Sequence, residues 1–409
     1  MTSHDIVDVC VVGLGYIGLP TASIFATKGL KVRGVDVVLD VVETINRGAI
    51  HTDEPDLDVM VRAAVQSGNL MADVEPCAAD TFILAVPTPF LKDGDRRIPD
   101  LSYVENATRA IAPFVKAGNL VVMESTCPVG TTEKVRDWLA ELVPVDGVHF
   151  AHCPERVLPG QMLKELVSND RIAGGLTVDA AEKAKALYLI FCSGEIHLTD
   201  ARTAELAKLT ENASRDVGIA FANELSVICD ELGIDVWELI SLANRHPRVN
   251  ILNPGPGVGG HCIAVDPWFI VDSVPDHSNL IQAARKVNDE KPLRVVEQVR
   301  AAARDFDFPC IACLGITFKA NVDDLRESPA LDIAKALAAD EGSEILIVDP
   351  HVQKLPGDLL NCAKLVSIQE ALERASVILL LVDHREFEQV SLADIRGKMV
   401  IDTRGMWSR

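Results

Sequence analysis

The stretch from Ile6 to Asp36 limits the fold more than any other part of the chain. Ile6–Val12 is a short apolar run of β character. It passes directly into Gly13-Leu14-Gly15-Tyr16-Ile17-Gly18, then a helical pattern from Leu19 to Gly29, then a second strand, Lys31–Val35, that ends on Asp36. Strand, G-x-G-x-x-G, helix, strand and an acid about 20 residues further on is the full context of a dinucleotide-binding unit. Gly13 permits the turn, Gly15 lets the backbone approach a pyrophosphate, and Gly18 lets helix and strand pack closely. The helix N-terminus offers N–H donors and partial positive charge to the phosphates. Asp36 accepts from a ribose 2′-hydroxyl and repels a 2′-phosphate, which selects NAD over NADP.

The alternation of strand and helix continues. Val59–Ser67 reads as a helix, and Thr81–Val86 as a buried strand running into Pro87-Thr88-Pro89. Leu101–Ala117 is amphipathic with a break at Pro113. Leu120–Glu124 is the next strand, followed by Ser125-Thr126-Cys127-Pro128, and the strand Val148–Cys153 runs into Pro154-Glu155-Arg156-Val157. Ligands of an open parallel sheet sit beyond the carboxyl ends of its strands. Thr88, Thr126 and Glu155 all follow strands and are expected to line one cleft, although each taken singly also reads as an ordinary cap or turn former.

The texture changes after Asp200. Ala201–Glu231 is a proline-free helical pattern on the order of 45 Å long. Lys208 and Asn212 share a face one turn apart, and Arg215 lies a turn beyond. Ala204, Ala207 and Ala213 around them suggest a packed surface. A helix over Val236–Asn244 leads through His246 and Arg248 into Asn250–Trp268, where Gly255, Gly257, Gly259 and Gly260 exclude regular structure. Glycine costs about 1 kcal/mol in a helix interior, so this density marks a loop closely approached by a ligand or by backbone. Cys262 ends the loop and Asp266 follows. A thiol on a tight turn beside a carboxylate suits covalent catalysis; a buried cysteine after an ordinary Pro/Gly loop is the alternative. Asn279–Arg304 is helical again, so 201–304 is expected as a helical middle domain able to serve as a subunit interface.

After a linker at 305–309 the α/β pattern resumes, with strands at Cys310–Leu314, Glu344–Val348, Val377–Val382 and Met399–Asp402 and helices at Pro329–Ala339 and Ser367–Ala375. Only Gly315 remains of a glycine fingerprint, so this half is not expected to bind a second NAD. Lys319, Arg326 and Arg404, read as lying at strand ends, suit a different phosphate-bearing ligand. The expected fold is α/β: two Rossmann-like parallel-sheet domains (1–200 and 305–409) joined by a long central helix and the helical middle domain (201–304).

Composition narrows the partners. A formal net charge of −21 argues against nucleic acid or an anionic membrane. No apolar run approaches the ~20 residues of a membrane helix. The 10 cysteines are scattered among apolar neighbours, and Cys310 and Cys313 lie within a strand without zinc-type partners. Reduced thiols in a cytoplasmic protein without a resident metal, and without a signal-peptide layout at its N-terminus, are expected.

Eight stretches then point one way. G-L-G-Y-I-G-L-P, V-P-T-P at Val86, E-S-T-C-P-V-G at Glu124, C-P-E-R-V-L-P-G at Cys153, A-E-L-A-K-L-T-E-N, N-R-H-P-R-V-N, G-V-G-G-H-C-I-A-V-D-P and F-K-A-N-V-D-D-L-R-E-S-P occur in order. Together they resemble the UDP-glucose/GDP-mannose dehydrogenase family over essentially the whole chain. N-R-H-P-R-V-N and the ending H-C-I-A-V-D-P-W are similar to the branch acting on UDP-N-acetyl-D-mannosamine; UDP-glucose enzymes carry a lysine where this chain has Val265.

The resemblance implies a four-electron oxidation of a sugar-nucleotide C6 alcohol to a carboxylate with two NAD, in a homodimer, supplying surface-polysaccharide precursors. It implies that Cys262 forms the covalent intermediates and that Lys208 and Asn212 serve the C6 oxygen. Asp266 would move protons near the thiol, and Glu155 with Thr126 would position water. Arg156, Val157, Lys208, Asn212, Arg215, His246, Arg248, Gly259, Phe318, Lys319 and Arg404 match UDP-sugar positions. Gly13, Gly15, Tyr16, Ile17, Gly18, Asp36, Thr88, Thr126 and Arg326 match NAD positions. UDP-N-acetylglucosamine is the alternative substrate. A single-step hydroxyacid dehydrogenase would leave Cys262 and the C-terminal domain without a task.

Overall fold

The computed structural model describes residues 7–407 except 53, 94–95, 158–159 and 261. The chain divides into two units, Met1–Glu211 with Trp268–Val274, and Asn212–Pro267 with Pro275–Arg409.

The first unit strings together β1 (Val7–Val12), α1 (Gly18–Thr27), β2 (Val32–Val35), α2 (Leu39–Asn46), α3 (Leu57–Gln66), β3 (Leu70–Asp73), β4 (Ala79–Leu84) and the hairpin β5 (Phe90–Asp93) and β6 (Arg96–Pro99). It continues with α4 (Ser102–Ile111), β7 (Leu120–Met123), α5 (Thr131–Ala140), β8 (His149–His152), α6 (Met162–Ser168), β9 (Arg171–Gly175), α7 (Val178–Tyr188) and β10 (Ile196–Asp200). The sheet order is β10-β9-β8-β7-β4-β1-β2-β3. Its run β3-β2-β1-β4-β7-β8 is the doubly wound arrangement, with the switch point between β1 and β4. Both faces are buried, as a parallel sheet requires: Val9 and Val11 of β1 enter one core, Cys10 and Val12 the other.

The sheet is not parallel throughout, because β9 runs antiparallel to β8, pairing Gly175 with Ala151 and Gly174 with His152. The connecting helix α6 has 7 residues, about 10 Å. It does not return the chain to the sheet's starting edge, so the next strand comes back the other way.

A single helix, α8 (Ala201–Leu232, 32 residues), leads from the first unit into the second. Along the chain there follow α9 (Val236–Ala243), α10 (Asp266–Ser273, of which Trp268 onward belongs to the first unit), α11 (Asn279–Ala303), β11 (Cys310–Leu314), α12 (Pro329–Ala338), β12 (Glu344–Val348), β13 (Ala363–Leu365), α13 (Ile368–Arg374), β14 (Val377–Leu380) and β15 (Met399–Asp402). The second sheet, β13-β12-β11-β14-β15, is parallel in every pair. Its central strand again divides its side chains, Ile311 and Cys313 to one face and Ala312 and Leu314 to the other.

Within the second unit, α8 and α11 are joined by a buried polar ladder. Arg285 Nη1 donates to Asp216 Oδ1 at 2.6 Å, and Asn288 Nδ2 donates to the same oxygen at 2.8 Å. Asn223 Nδ2 donates to Asn288 Oδ1 at 2.9 Å, and Asn223 Oδ1 accepts from the backbone N–H of Gly255 at 2.9 Å. Arg285, Asp216, Asn223 and Asn288 are all fully buried. Removing one partner of such a pair strands the other charge in a medium that cannot solvate it. Arg285→Ala is therefore expected to destabilise the second unit by about 3–5 kcal/mol, read by chemical denaturation, whereas a cost under about 1 kcal/mol would mean that the ladder is a passive contact.

Candidate functional site

In the first unit the fingerprint folds as its spacing requires. Gly13 has φ +93°, and a Cβ there would lie 2.5 Å from the Ala85 carbonyl oxygen. A Cβ on Gly18 would lie 1.8 Å from the Gly13 carbonyl oxygen. At Gly15, by contrast, a Cβ would meet nothing within 4 Å, so this position faces open space where a pyrophosphate can approach. Asp36 stands at the end of β2; its Oδ2 accepts from Leu14 N and its Oδ1 from Val38 N, both at 3.0 Å. Val37, Val38 and Leu39 beside it are exposed, an apolar ledge of the kind a purine covers. Tyr16 and Ile17 are half-buried against the same core. These features fit NAD.

The loops after β4 and β7 are stitched together. Thr88 Oγ1 donates to the Thr126 carbonyl at 2.6 Å, and Ser125 Oγ donates to the Val86 carbonyl at 2.6 Å. Glu155 also follows its strand, β8, but its carboxylate is turned inward. It is 8% exposed, and its Oε2 accepts from Arg171 Nη2 at 2.6 Å while its Oε1 accepts from Arg156 N at 2.7 Å. The carboxylate turns inward because a buried guanidinium on β9 needs a counter-ion. Arg156 is half-buried and pairs with Glu211 at 2.6 Å, and Val157 packs on the core. Arg156 and Glu211 both line a cavity of about 640 Å³ together with Asp170, His197 and Thr203.

Lys208 is half-buried on α8. One turn earlier, Glu205 anchors the helix: its carboxylate accepts from Gly130 N (2.5 Å), Thr132 N (2.8 Å) and Thr132 Oγ1 (2.6 Å) at the start of α5. Glu205 thereby fixes Lys208 against the loop that carries Thr126. Next to it His152 is wholly buried, its Nδ1 3.9 Å from Cys127 Sγ. Burial, helped by the Lys208 charge, pushes its imidazole down to about 3, so it is neutral at physiological pH.

In the second unit Cys262 is exposed in the turn before α10, and Asp266, the first residue of α10, takes a backbone hydrogen bond to the Cys262 carbonyl at 2.8 Å. Asp266 is 3% exposed and accepts at 2.5 Å from Asn212 Nδ2. The glycine loop lies flat against its neighbours. A Cβ on Gly259 would sit 2.3 Å from the Glu327 carbonyl, and one on Gly260 2.8 Å from the Phe318 ring; on Gly255 it would meet Arg404 Nη1 at 2.6 Å. Side chains and one backbone carbonyl, not a ligand alone, are thus what these glycines admit. Arg404 Nε donates to Asp383 Oδ1 at 2.9 Å. Arg215, His246, Arg248 and Lys319 are exposed, with Asn244 pinning the base of the His246–Arg248 turn through Ile251. Arg326 departs from its expected strand-end position: it lies in the loop before α12, paired with Asp324 at 2.6 Å.

Sequence reasoning missed Glu124, Arg171, Tyr188 and Glu205, since a charged residue in a strand or helix carries no local sign that its partner lies far along the chain. Glu124 is wholly buried at the end of β7, and burial, with the nearby Glu155 charge, pushes its carboxyl up to about 7. The folded value exceeds the ordinary one of 4.5, so its contribution to stability is fully present below pH 4.5 and is lost as pH rises through about 7.

Two outcomes follow. Glu124→Gln, which cannot ionise, is expected to gain thermal stability relative to the parent as pH goes from about 5 to 8; a gap that is flat or of opposite sign would show that the carboxyl titrates normally. Asp36→Ala is expected to erode discrimination against NADP by roughly tenfold or more, corresponding to the loss of about 1.4 kcal/mol, as measured by comparing binding of the two cofactors.

Known proteins agree with this geometry. The NAD binding, central and UDP binding domain models of the UDP-glucose/GDP-mannose dehydrogenase family match residues 7–192, 202–290 and 312–409. An NDP-N-acetyl-D-galactosaminuronic acid dehydrogenase from Ralstonia nicotianae is 56% identical over 99% of this chain and 97% of its own. A UDP-N-acetyl-D-mannosamine dehydrogenase from Yersinia pestis is 53% identical over 98% and 99%. The structure of UDP-N-acetyl-mannosamine dehydrogenase from S. aureus superposes with a TM-score of 0.88 at 42% identity, covering 98% of this chain and 96% of that one. With all three domain models matched in order along its length, the chain belongs to the UDP-glucose/GDP-mannose dehydrogenase family and is an NAD-dependent oxidoreductase.

Proposed function

We propose that the protein oxidises the C6 alcohol of UDP-N-acetyl-D-mannosamine to the carboxylate of UDP-N-acetyl-D-mannosaminuronate, through covalent intermediates on Cys262. The observation that carries this reading is the setting of Cys262. Of the ten cysteines only Cys262 and Cys362 are exposed. Cys262 alone of these two follows a glycine loop and precedes a buried Asp266–Asn212 pair.

NAD supplies the hydride acceptor for both oxidations. Lys208 takes the proton of the C6 hydroxyl as the first hydride departs. Cys262 Sγ adds to the aldehyde carbon, and Asp266 handles the thiol proton. Asn212 and Lys208 stabilise the charge on the C6 oxygen, whose lone pair expels the second hydride and leaves a thioester. Water, positioned by Thr126 and Glu155, adds to the thioester carbon; the sulfur leaves and the carboxylate is released. A thioester is the useful intermediate because its hydrolysis is facile. Arg156, Val157, Arg215, His246, Arg248, Gly259, Phe318, Lys319 and Arg404 hold the UDP-sugar. Tyr16, Ile17, Asp36, Thr88, Thr126 and Arg326 hold NAD. This assigns NAD binding to 1–200, a central dimerisation role to 201–304 and UDP-sugar binding to 305–409.

A homodimer in the cytoplasm, feeding polysaccharide synthesis, completes the reading. Exposed Phe221, Ile228 and Leu232 on α8 support the dimer. Ten free thiols support a reducing compartment, and no helix among the described residues is long and apolar enough to cross a membrane. The Ralstonia relative favours a second reading, an N-acetylgalactosamine nucleotide; a UDP-N-acetylglucosamine substrate is a third. Epimers differ by the direction of one hydroxyl, which a few hydrogen bonds discriminate.

The expected stoichiometry is two NADH per sugar, with the mannosamine nucleotide giving the highest kcat/KM in a panel that includes the glucosamine and galactosamine nucleotides. Cys262→Ala is expected to abolish acid formation while NAD binding persists. Unchanged acid output from that variant, or one NADH per sugar in the parent, would exclude the covalent route.

A further inference from the structure

We infer that Glu124 and Arg171 are positioning residues for Glu155: the Arg171 guanidinium is a counter-ion shared by two carboxyls, and the proton on Glu124 decides whether it stays locked on Glu155. The inference deepens the reading above, in which Glu155 prepares the water that cleaves the thioester.

The geometry is that of a buried competition. Arg171 Nη2 lies 2.6 Å from Glu155 Oε2, while Arg171 Nη1 lies 4.0 Å from Glu124 Oε1. Among the described residues, Arg171 Nη1 and Nε and Glu124 Oε2 have no hydrogen-bond partner. Arg171 Nη1 thus keeps a donor 4.0 Å from a carboxyl it does not hydrogen-bond, while Nη2 is committed to Glu155. The guanidinium is also held from the side: its centre lies 4.5 Å from the Tyr188 ring centroid and 5.3 Å from that of Phe191. A rotation in the plane of the guanidinium therefore keeps its stacking.

One cation cannot satisfy two buried carboxylates at once. With Glu124 protonated the cluster is neutral, Tyr188 OH donates to Glu124 Oε1 at 3.0 Å, and Arg171 remains on Glu155. Glu155 then accepts a hydrogen bond on each oxygen, from Arg171 and from Arg156 N, and these compete with water for its lone pairs. Once Glu124 ionises it competes for Arg171, and Glu155 is released. The other groups facing Glu124 do not alter this charge count. The Tyr188 phenol and the Cys153 thiol are both pushed up by burial and stay neutral, and Thr21 of α1 offers only a hydroxyl. The step under control is balanced: water oxygen bonds to the acyl carbon, the carbon–sulfur bond to Cys262 breaks, Glu155 receives the water proton, and the thiolate recovers one.

The test uses the full-length protein with NAD and UDP-N-acetyl-D-mannosamine, quenched during turnover from pH 6 to 9. Mass spectrometry measures acylated Cys262, and absorbance measures the NADH burst. In the parent, hydrolysis is expected to accelerate as pH rises through about 7, the value to which Glu124 is pushed, and the acyl adduct to drain away. Glu124→Gln should keep the NADH burst, lose that rising limb and accumulate adduct, with hydrolysis slowed at least ~10-fold above pH 8. Glu124→Asp, which can still ionise, should recover part of the limb. A Glu124→Gln enzyme with the parental pH profile and adduct level overturns the inference while leaving the covalent route intact. No adduct in the parent removes the covalent route and this inference with it.

Discussion

A hydrogen bond with a long ancestry ties down the glycine loop that carries Cys262. Gly255 N donates to Asn223, which is fixed by Asn288, which is fixed by Asp216, which is held by Arg285. Asp216 and Arg285 are buried charges whose desolvation is offset by each other, by Asp289 beside Arg285 and by the amide of Asn288. Because burial raises the cost of breaking any one link, the ladder behaves as a rigid strut. A loop of four glycines has too much freedom to hold a side chain in place on its own, and here that freedom is reduced by polar groups on helices α8 and α11.

The same backbone device occurs twice in the chain. Gly13 N donates to Val35 O and Leu14 N to Asp36; Gly315 N donates to Val348 O and Ile316 N to Asp349. In each half a glycine with positive φ turns the chain at the end of the first strand, and the acid ending the second strand caps the turn. The two acids then diverge. Asp36 stays partly exposed, while Asp349 is buried with His384 Nε2 3.3 Å away. The second half keeps the structural use of the acid and withdraws it from solvent.

Legibility varied with the range of the interaction. The fingerprint from Gly13 to Asp36, the helix from Ala201 and the strands β11, β12 and β15 were plain, because each follows from neighbours a few residues away. The stretch 160–200 yielded no elements, although it contains α6, β9, α7 and β10. There the strands are short and the helix α7 is rich in alanine, so periodicity is weak. The antiparallel β9 escaped for the same reason. Glu155 was legible as a residue at a strand end but not as one turned inward, since its partner Arg171 is 16 positions away on a strand that local pattern does not announce.

The sequence by itself determined the kind of chemistry. Residue types with fixed local geometry, a glycine turn before a helix and an acid after a strand, specify NAD and its ribose. Tertiary structure alone decided which charges are spent on each other: Glu205 on the α5 N-terminus, Asp266 on Asn212, Arg171 between Glu155 and Glu124. The physical reason is that the cost of a charge depends on its solvent and its partner, and both are set only when distant segments have packed.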